Sequence, residues 1–361
     1  MAQAATKQVE AQQIVRPENI KSTKLPNGLT ISSVENYSPV SRFGVFVRAG
    51  SRHEPADQLG ISHALRLAAG YSTRRSTIFG ITRNIEYLGG NLTASTDREN
   101  LIYQLHNNRD HNEQTLQYLS DIVTRPAFKQ WELEDLQYRF KTELDRLKLD
   151  PQAQLIEALH KAAFRGGLSN SLYSPDFNIG SHNSEKLHQY VQQTFQPDRT
   201  AIVGFGVDHE KLVKFVEGNF EYGAPLSVPE KPSKFIAGDA RVPAKGKLAF
   251  AAVACEGPSL SNMKDVLAVA ALQQLLGIGQ RVKHSQGGNK LAIAAGKVAK
   301  QPFEVSTIFN QYSDSGLFGI YTATHGSEAH SVINAVVSEL RNVIKGLTEA
   351  DVNAAKYVDD F

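Results

Sequence analysis

A segment rich in proline, glycine, serine and lysine divides the chain in two. It covers residues 225–246, shows little hydrophobic periodicity and has the composition of an exposed linker. The sequence on either side follows one order: a strand, a helix and a strand pair. A chain of 361 residues is long enough to form two cores of ordinary size. We therefore predict a flexible segment at 1–22 and two repeated domains, 23–224 and 247–361.

The repeated order rests on hydrophobic spacing. Apolar side chains alternate at a strand period along residues 43–47 and 101–105. The second half offers a strand at 248–255, an apolar helix at 263–276 and a strand region at 304–324. This correspondence indicates a weak internal duplication.

One short helix is predicted in the first half. Between Gly60 and Leu67, the spacing of Ile61, Leu65 and Ala68 changes to that of a helix. Ser62 is a candidate cap at its start. Because most of its positions are apolar, we expect this helix to be buried.

Composition excludes several classes of protein. Lys plus Arg number 39 against 37 Asp plus Glu, so the net charge of +2 predicts no nucleic-acid partner. The single cysteine, Cys255, cannot form an internal disulfide and fits a reducing compartment. No apolar run is long enough to span a membrane. The first twenty residues make a poor presequence, because Lys7 and Arg16 are offset by Glu10 and Glu18.

The stretch GSRHEPADQLGISHALRLAAGYST resembles the start of the inverted-zincin, pitrilysin-like metallopeptidases. In active members of that family, a helix presents H-x-x-E-H, in which two histidines hold zinc and the glutamate activates water. Here the same frame reads His63, Ala64, Leu65, Arg66, Leu67. Only the first histidine remains, so the resemblance implies no catalytic residue and no bound metal.

A third ligand position is kept. The family's third zinc ligand is a glutamate on a later helix, and Glu143 in KTELDRL stands at that position. Without a metal, its carboxylate needs another partner, and we predict an ion pair between Arg66 and Glu143. For His63, we expect a hydrogen-bonded core histidine.

A second stretch, YSDSGLFGIYT, resembles a segment of the family's second domain that runs from Tyr312 to Thr322 here. Active members use aromatic and basic groups of that domain to hold the substrate carbonyl. Without a metal, we expect instead a strand with a glycine bend that packs its aromatic side chains inward. The glycine-rich loop around Gly279 lacks a nucleotide-binding pattern and is interpreted as a mobile surface loop.

The resemblance implies an α+β fold: two homologous sandwich-like domains with mainly antiparallel sheets flanked by helices. LPNGL, ENYSPVSR, DREN and LYSPDFNIG further resemble the core-protein branch of the family, found in the mitochondrial cytochrome bc1 complex. That implies a noncatalytic scaffold without a cofactor, peripheral to the inner membrane on the matrix side. Its expected partners are core protein 1, cytochrome b, cytochrome c1 and the iron-sulfur protein.

Two alternatives remain open. The first is a subunit of the mitochondrial processing peptidase, either its noncatalytic, alpha-like partner or its catalytic partner. The second is a module that binds presequence peptides without cutting them. The family's second domain normally continues for several elements beyond the helix expected near Thr348. We therefore expect a second domain that is incomplete.

Overall fold

The computed structural model of the protein describes residues 20–222, 232–243, 246–277 and 290–347. Several predictions lie wholly or partly outside these ranges: the segment 1–22, the linker 225–246, the glycine-rich loop around Gly279, the helix near Thr348 and parts of both predicted domains. The chain divides into two compact units, residues 1–141 with 172–229, and residues 142–171 with 230–361. The domain bounds taken from the sequence stay a prediction.

The described regular elements are eleven strands and ten α-helices. The strands are β1 (Lys21–Lys24), β2 (Thr30–Val34), β3 (Val40–Val47), β4 (Asn91–Thr96), β5 (Leu101–Asn108), β6 (Phe164–Arg165), β7 (Thr200–Phe205), β8 (Lys234–Phe235), β9 (Leu248–Gly257), β10 (Glu304–Gln311) and β11 (Gly316–His325). The helices are α1 (Ile61–Leu67), α2 (Ile78–Tyr87), α3 (Asn112–Thr124), α4 (Gln130–Leu149), α5 (Pro151–Ala163), α6 (Ser184–Thr194), α7 (His209–Asn219), α8 (Met263–Leu276), α9 (Lys290–Val298) and α10 (Ala329–Lys345). None of these helices is both long and apolar enough to cross a bilayer.

The N-terminal unit contains a six-stranded sheet in the order β1-β2-β7-β3-β5-β4 among the described residues. Its pairs are antiparallel except β2 with β7. Strand β3 lies inside the sheet, between β7 and β5. The predicted alternation is confirmed, because Phe43, Val45 and Val47 are all buried in one core.

The C-terminal unit contains a three-stranded antiparallel sheet in the order β10-β11-β9, and a short β6–β8 pair. Helices α8, α9 and α10 contribute Leu276, Leu291 and Val332 to a core with Phe318 and Ile320 of β11. Side chains of α5 pack with residues of all three strands in a separate cluster. The predicted α+β architecture, mainly antiparallel sheets with helices, is confirmed.

The two units repeat one arrangement of strands. In the N-terminal unit, β5 pairs with β3 on one side and β4 on the other. In the C-terminal unit, β11 pairs with β9 and β10 in the same way. The structure thus supports the predicted internal duplication.

Candidate functional site

The predicted metal-motif helix, α1, starts at a buried carboxylate. Glu54 accepts hydrogen bonds from the backbone N–H groups of Gly60 (2.8 Å) and Ser62 (2.9 Å), and from the Ser62 hydroxyl (2.5 Å). The first N–H groups of a helix lack partners within it, so this carboxylate caps α1 from outside. Burial raises the pKa of Glu54 to about 7, although the hydrogen bonds oppose that rise.

The capping prediction for Ser62 was wrong, since Ser62 lies inside α1 and donates to Glu54. The position before the helix is Gly60, whose φ of 88° is left-handed. A Cβ at Gly60 would come within 2.4 Å of Ser174. Glycine is therefore needed where the chain enters α1, and no side chain there can act as a local cap.

His63 is completely buried, and its ring is held on several sides. Its Nδ1 accepts a hydrogen bond from the backbone N–H of Ser174, 3.0 Å away. Its ring meets those of Phe140 and Tyr173 edge to face, with centroids 4.8 and 5.7 Å apart. The structure therefore agrees with the expectation of a hydrogen-bonded core histidine.

The tautomer of His63 decides what this ring can bind. A backbone N–H can only donate, so Nδ1 is the acceptor, and in the neutral ring Nε2 carries the proton. A metal ion needs a nitrogen lone pair, and metal-binding histidines ordinarily donate a hydrogen bond through the other nitrogen. In this arrangement, neither nitrogen of His63 offers a lone pair to a metal.

The other two positions of the frame provide no ligand. Leu67 is buried and apolar, and Arg66 is half-buried and cationic. The guanidinium of Arg139, on α4, donates to the backbone carbonyl of Leu67 at 3.0 Å. A cation at the carboxyl end of a helix is attracted to the partial negative charge there and stabilises the helix. Side chains that are not zinc ligands therefore hold α1 at both ends.

The predicted ion pair between Arg66 and Glu143 stays a prediction. Arg66 lies in the last turn of α1. Glu143 lies on α4, three residues after Phe140, and is half-buried.

Three further histidines of the N-terminal unit, His53, His182 and His188, are buried or partly buried. His53 lies 3.2 Å from the Arg199 guanidinium, and burial lowers its pKa to about 3. Burial also lowers the pKa of His182 to about 4. His188 packs edge to face against Phe128. Within the described ranges, no three His, Cys, Asp or Glu side chains form a group able to hold a metal ion.

The second motif is tied into the C-terminal unit by buried hydrogen bonds. The carbonyl of Ile156 lies 2.7 Å from His160 Nδ1, so Nδ1 is the donor. His160 Nε2, 2.7 Å from the Tyr312 hydroxyl, then accepts from it in the neutral ring. The carboxylate of Asp314 accepts the backbone N–H of Ser233 at 2.9 Å. Tyr312 and Asp314 thus have structural roles here.

Glycines of the same motif allow two strands to approach closely. A Cβ on Gly316 would lie 2.3 Å from the carbonyl oxygen of Pro258, and one on Gly319 would lie 2.6 Å from that of Val253. Along β11, nine of the ten residues are buried. The expectation of a strand whose aromatic side chains pack inward is confirmed.

Comparison with known proteins identifies the family to which the chain belongs. The model of the insulinase group, peptidase family M16, matches residues 30–176, and the model of the M16 inactive domain matches residues 181–357. A rat protein, cytochrome b-c1 complex subunit 2, is 40% identical over 346 residues, which is 95% of this chain and 76% of the relative.

The chain belongs to the M16 peptidase family.

Other M16 relatives fall into two groups by name. Human cytochrome b-c1 complex subunit 2 is 39% identical over 343 residues, covering 94% of this chain and 76% of the relative. An Arabidopsis thaliana protein described as a probable mitochondrial-processing peptidase subunit alpha-2 is 32% identical over 339 residues, covering 92% and 68%. Both M16 domain models therefore match a chain whose motif helix has lost the base and one histidine.

Sequence reasoning missed Glu54 and Arg139 at the two ends of α1 and, in the C-terminal unit, His160 as the partner of Tyr312. One signal was present, because Gly60 precedes α1 where a capping Ser, Thr, Asp or Asn is expected. A helix start without a local cap calls for an acceptor from elsewhere. Nothing in the local sequence identifies Glu54 as that acceptor.

Proposed function

We propose that this chain is a noncatalytic structural subunit of the mitochondrial cytochrome b-c1 complex. The observation that carries the proposal is the state of the motif helix: His63 is in the wrong tautomer for metal binding, and Arg66 and Leu67 replace the base and the second ligand. Without zinc, the frame cannot activate water or polarise a peptide carbonyl. Assembly is then the role left to the fold.

Similarity supports the choice of complex. Identity to the subunit 2 proteins is 39–40%, whereas it is 28–32% to the processing-peptidase subunits compared. In this proposal, the chain lies on the matrix side of the inner membrane as a peripheral subunit. It contacts core protein 1 and supports cytochrome b, cytochrome c1 and the iron-sulfur protein.

The test is co-migration in native gels. The tagged full chain is expressed in mitochondria, the inner membrane is solubilised gently, and the complex is probed for cytochrome b and cytochrome c1. We expect all three in one band, with an unrelated tagged matrix protein as the control. Migration of the chain without either cytochrome contradicts the proposal.

Zinc analysis tests the noncatalytic part separately. We expect the purified chain to hold far less than one zinc ion per molecule and to leave presequence peptides uncut. A double variant, Arg66→Glu with Leu67→His, restores the sequence pattern H-x-x-E-H at positions 63–67. We expect it to bind zinc weakly as well, because the Ser174 N–H still occupies His63 Nδ1. A tightly held zinc ion in the unaltered chain contradicts the proposal.

A second candidate follows from the relatives described as processing-peptidase alpha subunits: a module that binds presequences without cutting them. Titration with a basic amphipathic peptide distinguishes it from a scaffold. Saturable binding, without co-migration of the cytochromes, would favour this second function.

A further inference from the structure

A cavity of about 560 Å³ lies in the N-terminal unit, between helices α3 and α7. Its floor is apolar, since Leu116 of α3 and Leu212 of α7, both members of the core of this unit, line it together with Phe215. Sites that hold small molecules have volumes of roughly 300–1,000 Å³ and mostly apolar walls. The cavity therefore has the size and the floor of a small-molecule site.

Charged side chains of opposite sign line the two sides of this cavity. Asp110, in the short turn before α3, and Glu113, in the first turn of α3, lie on one side. Lys211 and Lys214 lie on the other, and their spacing of three residues puts both on the same side of α7. All four side chains belong to exposed residues. The cavity thus has an acidic wall and a basic wall.

The other charged groups at the cavity already have partners. Arg109 donates to both carboxylate oxygens of Glu35, at 2.8 and 2.6 Å. Asp208 caps α7, because its carboxylate accepts the backbone N–H of Lys211 at 3.1 Å. Among the described residues, by contrast, the two acids and the two lysines of the walls take part in no ion pair. Equal numbers of acidic and basic groups therefore remain to meet a ligand.

We infer that this cavity binds a small zwitterion with an apolar body, of the kind that a lipid with an ammonium and a phosphate in its head group represents. The ammonium lies at the acidic wall, the phosphate at the two lysines and the apolar body on the floor. A molecule with a single charge is attracted by one wall and repelled by the other, whereas a zwitterion interacts favourably with both. A folded partner needs a far larger contact surface than this cavity offers.

Isothermal titration calorimetry of the purified full chain tests this inference, independently of the function proposed above. The probe is octyl phosphocholine, used below its micelle concentration. Octyl trimethylammonium and octyl sulfate carry the same apolar chain with one charge each, and phosphocholine carries both charges without the chain. We expect octyl phosphocholine to bind saturably, and at least about tenfold more tightly than each of the other three compounds.

Reversing the charge of one wall gives a result that a loss of folding cannot imitate, because a new preference appears. Lys211→Glu with Lys214→Glu makes both walls acidic, and we expect this variant to bind octyl trimethylammonium most tightly. Asp110→Lys with Glu113→Lys makes both walls basic, and we expect it to prefer octyl sulfate. Lys141→Glu, at an exposed lysine of α4 outside the cavity, is the control and is expected to keep the original preference.

Hydrogen exchange locates the bound octyl phosphocholine. We expect exchange to slow in α7 and in the first turn of α3, and to stay the same in α10 of the C-terminal unit. Protection that appears only outside α3 and α7 shows that the molecule binds elsewhere and overturns the inference.

Three results of the titrations also overturn it. No binding of octyl phosphocholine shows that the cavity is not a site for such a molecule. Equal affinities for the three octyl compounds show that the charged walls select nothing. Equal affinities for phosphocholine and octyl phosphocholine show that the apolar floor takes no part.

Discussion

Strands β3 and β9 occupy equivalent places in the two units, but their surroundings differ. Strand β3 has a neighbour on each side, and Val45 is fully buried. Strand β9 has one described neighbour, and Val253 is 46% exposed. Both strands have apolar sequences. The apolar pattern of a strand thus predicts where the strand can lie, whereas its burial depends on which elements pack beside it.

The largest expected effect comes from placing a charge at one valine of each strand. Val45→Asp buries a carboxylate without a partner, and we expect a loss of at least about 4 kcal/mol, enough to unfold the N-terminal unit. Val253→Asp leaves its charge in water, and we expect a loss below about 1 kcal/mol. Hydrogen exchange of fragments containing β5 and β11 reports on the two units separately. Similar losses of protection in both variants would contradict the difference between β3 and β9.

The second expected effect concerns pH. Burial raises the pKa of Glu54 from 4.5 to about 7 in the folded N-terminal unit. Between these values the folded state binds more protons than the unfolded state, so stability falls as pH rises. We expect a fall on the order of 3 kcal/mol across that window, measured by urea denaturation at several pH values.

A matched pair of variants checks the assignment to Glu54. Glu54→Gln removes the titrating group and is expected to flatten the stability of the N-terminal unit over this range. In the C-terminal unit, burial also raises the pKa of Glu304, which is only half-buried. Glu304→Gln is therefore expected to change the pH profile less. A larger change from Glu304→Gln would reverse the comparison.

The smallest expected effect lies in the hydrogen bond between Tyr312 and His160. Tyr312→Phe keeps the ring but leaves the buried His160 Nε2 without this donor, at an expected cost of about 1–2 kcal/mol. The loss is expected to appear in exchange of β11 and to spare β5. Tyr37→Phe, at an exposed tyrosine of the N-terminal unit, serves as the control. Equal effects of the two variants would show that the hydrogen bond between Tyr312 and His160 does not contribute to the stability of the C-terminal unit.

Local patterns predicted most of the regular elements. The bounds of α8 agree with the predicted apolar helix, and the alternation of Phe43, Val45 and Val47 gave the buried face of β3. These features succeed because periods of 2 and 3.6 residues are properties of the local sequence. The degenerate frame from His63 to Leu67 was likewise readable, since it requires only the order of the residues.

Features that depend on distant contacts were not predictable. His160 and Tyr312 are 152 residues apart in the chain, and no spacing rule joins them. The segment 142–171 clusters with the C-terminal unit although no change of composition marks it. The short helix α9 follows the glycine-rich stretch, whose composition favoured a loop. Only tertiary packing decides these features.

The hydrogen bonds that Glu54 and Arg139 make with the two ends of α1 decide how this helix responds to substitution. A helix of seven residues is too short to be stable alone, so something outside it must hold it. Glu54 does so at one end and Arg139 at the other. Substitutions at positions 66 and 67 are therefore expected to leave α1 in place, whereas loss of Glu54 or Arg139 is expected to loosen it.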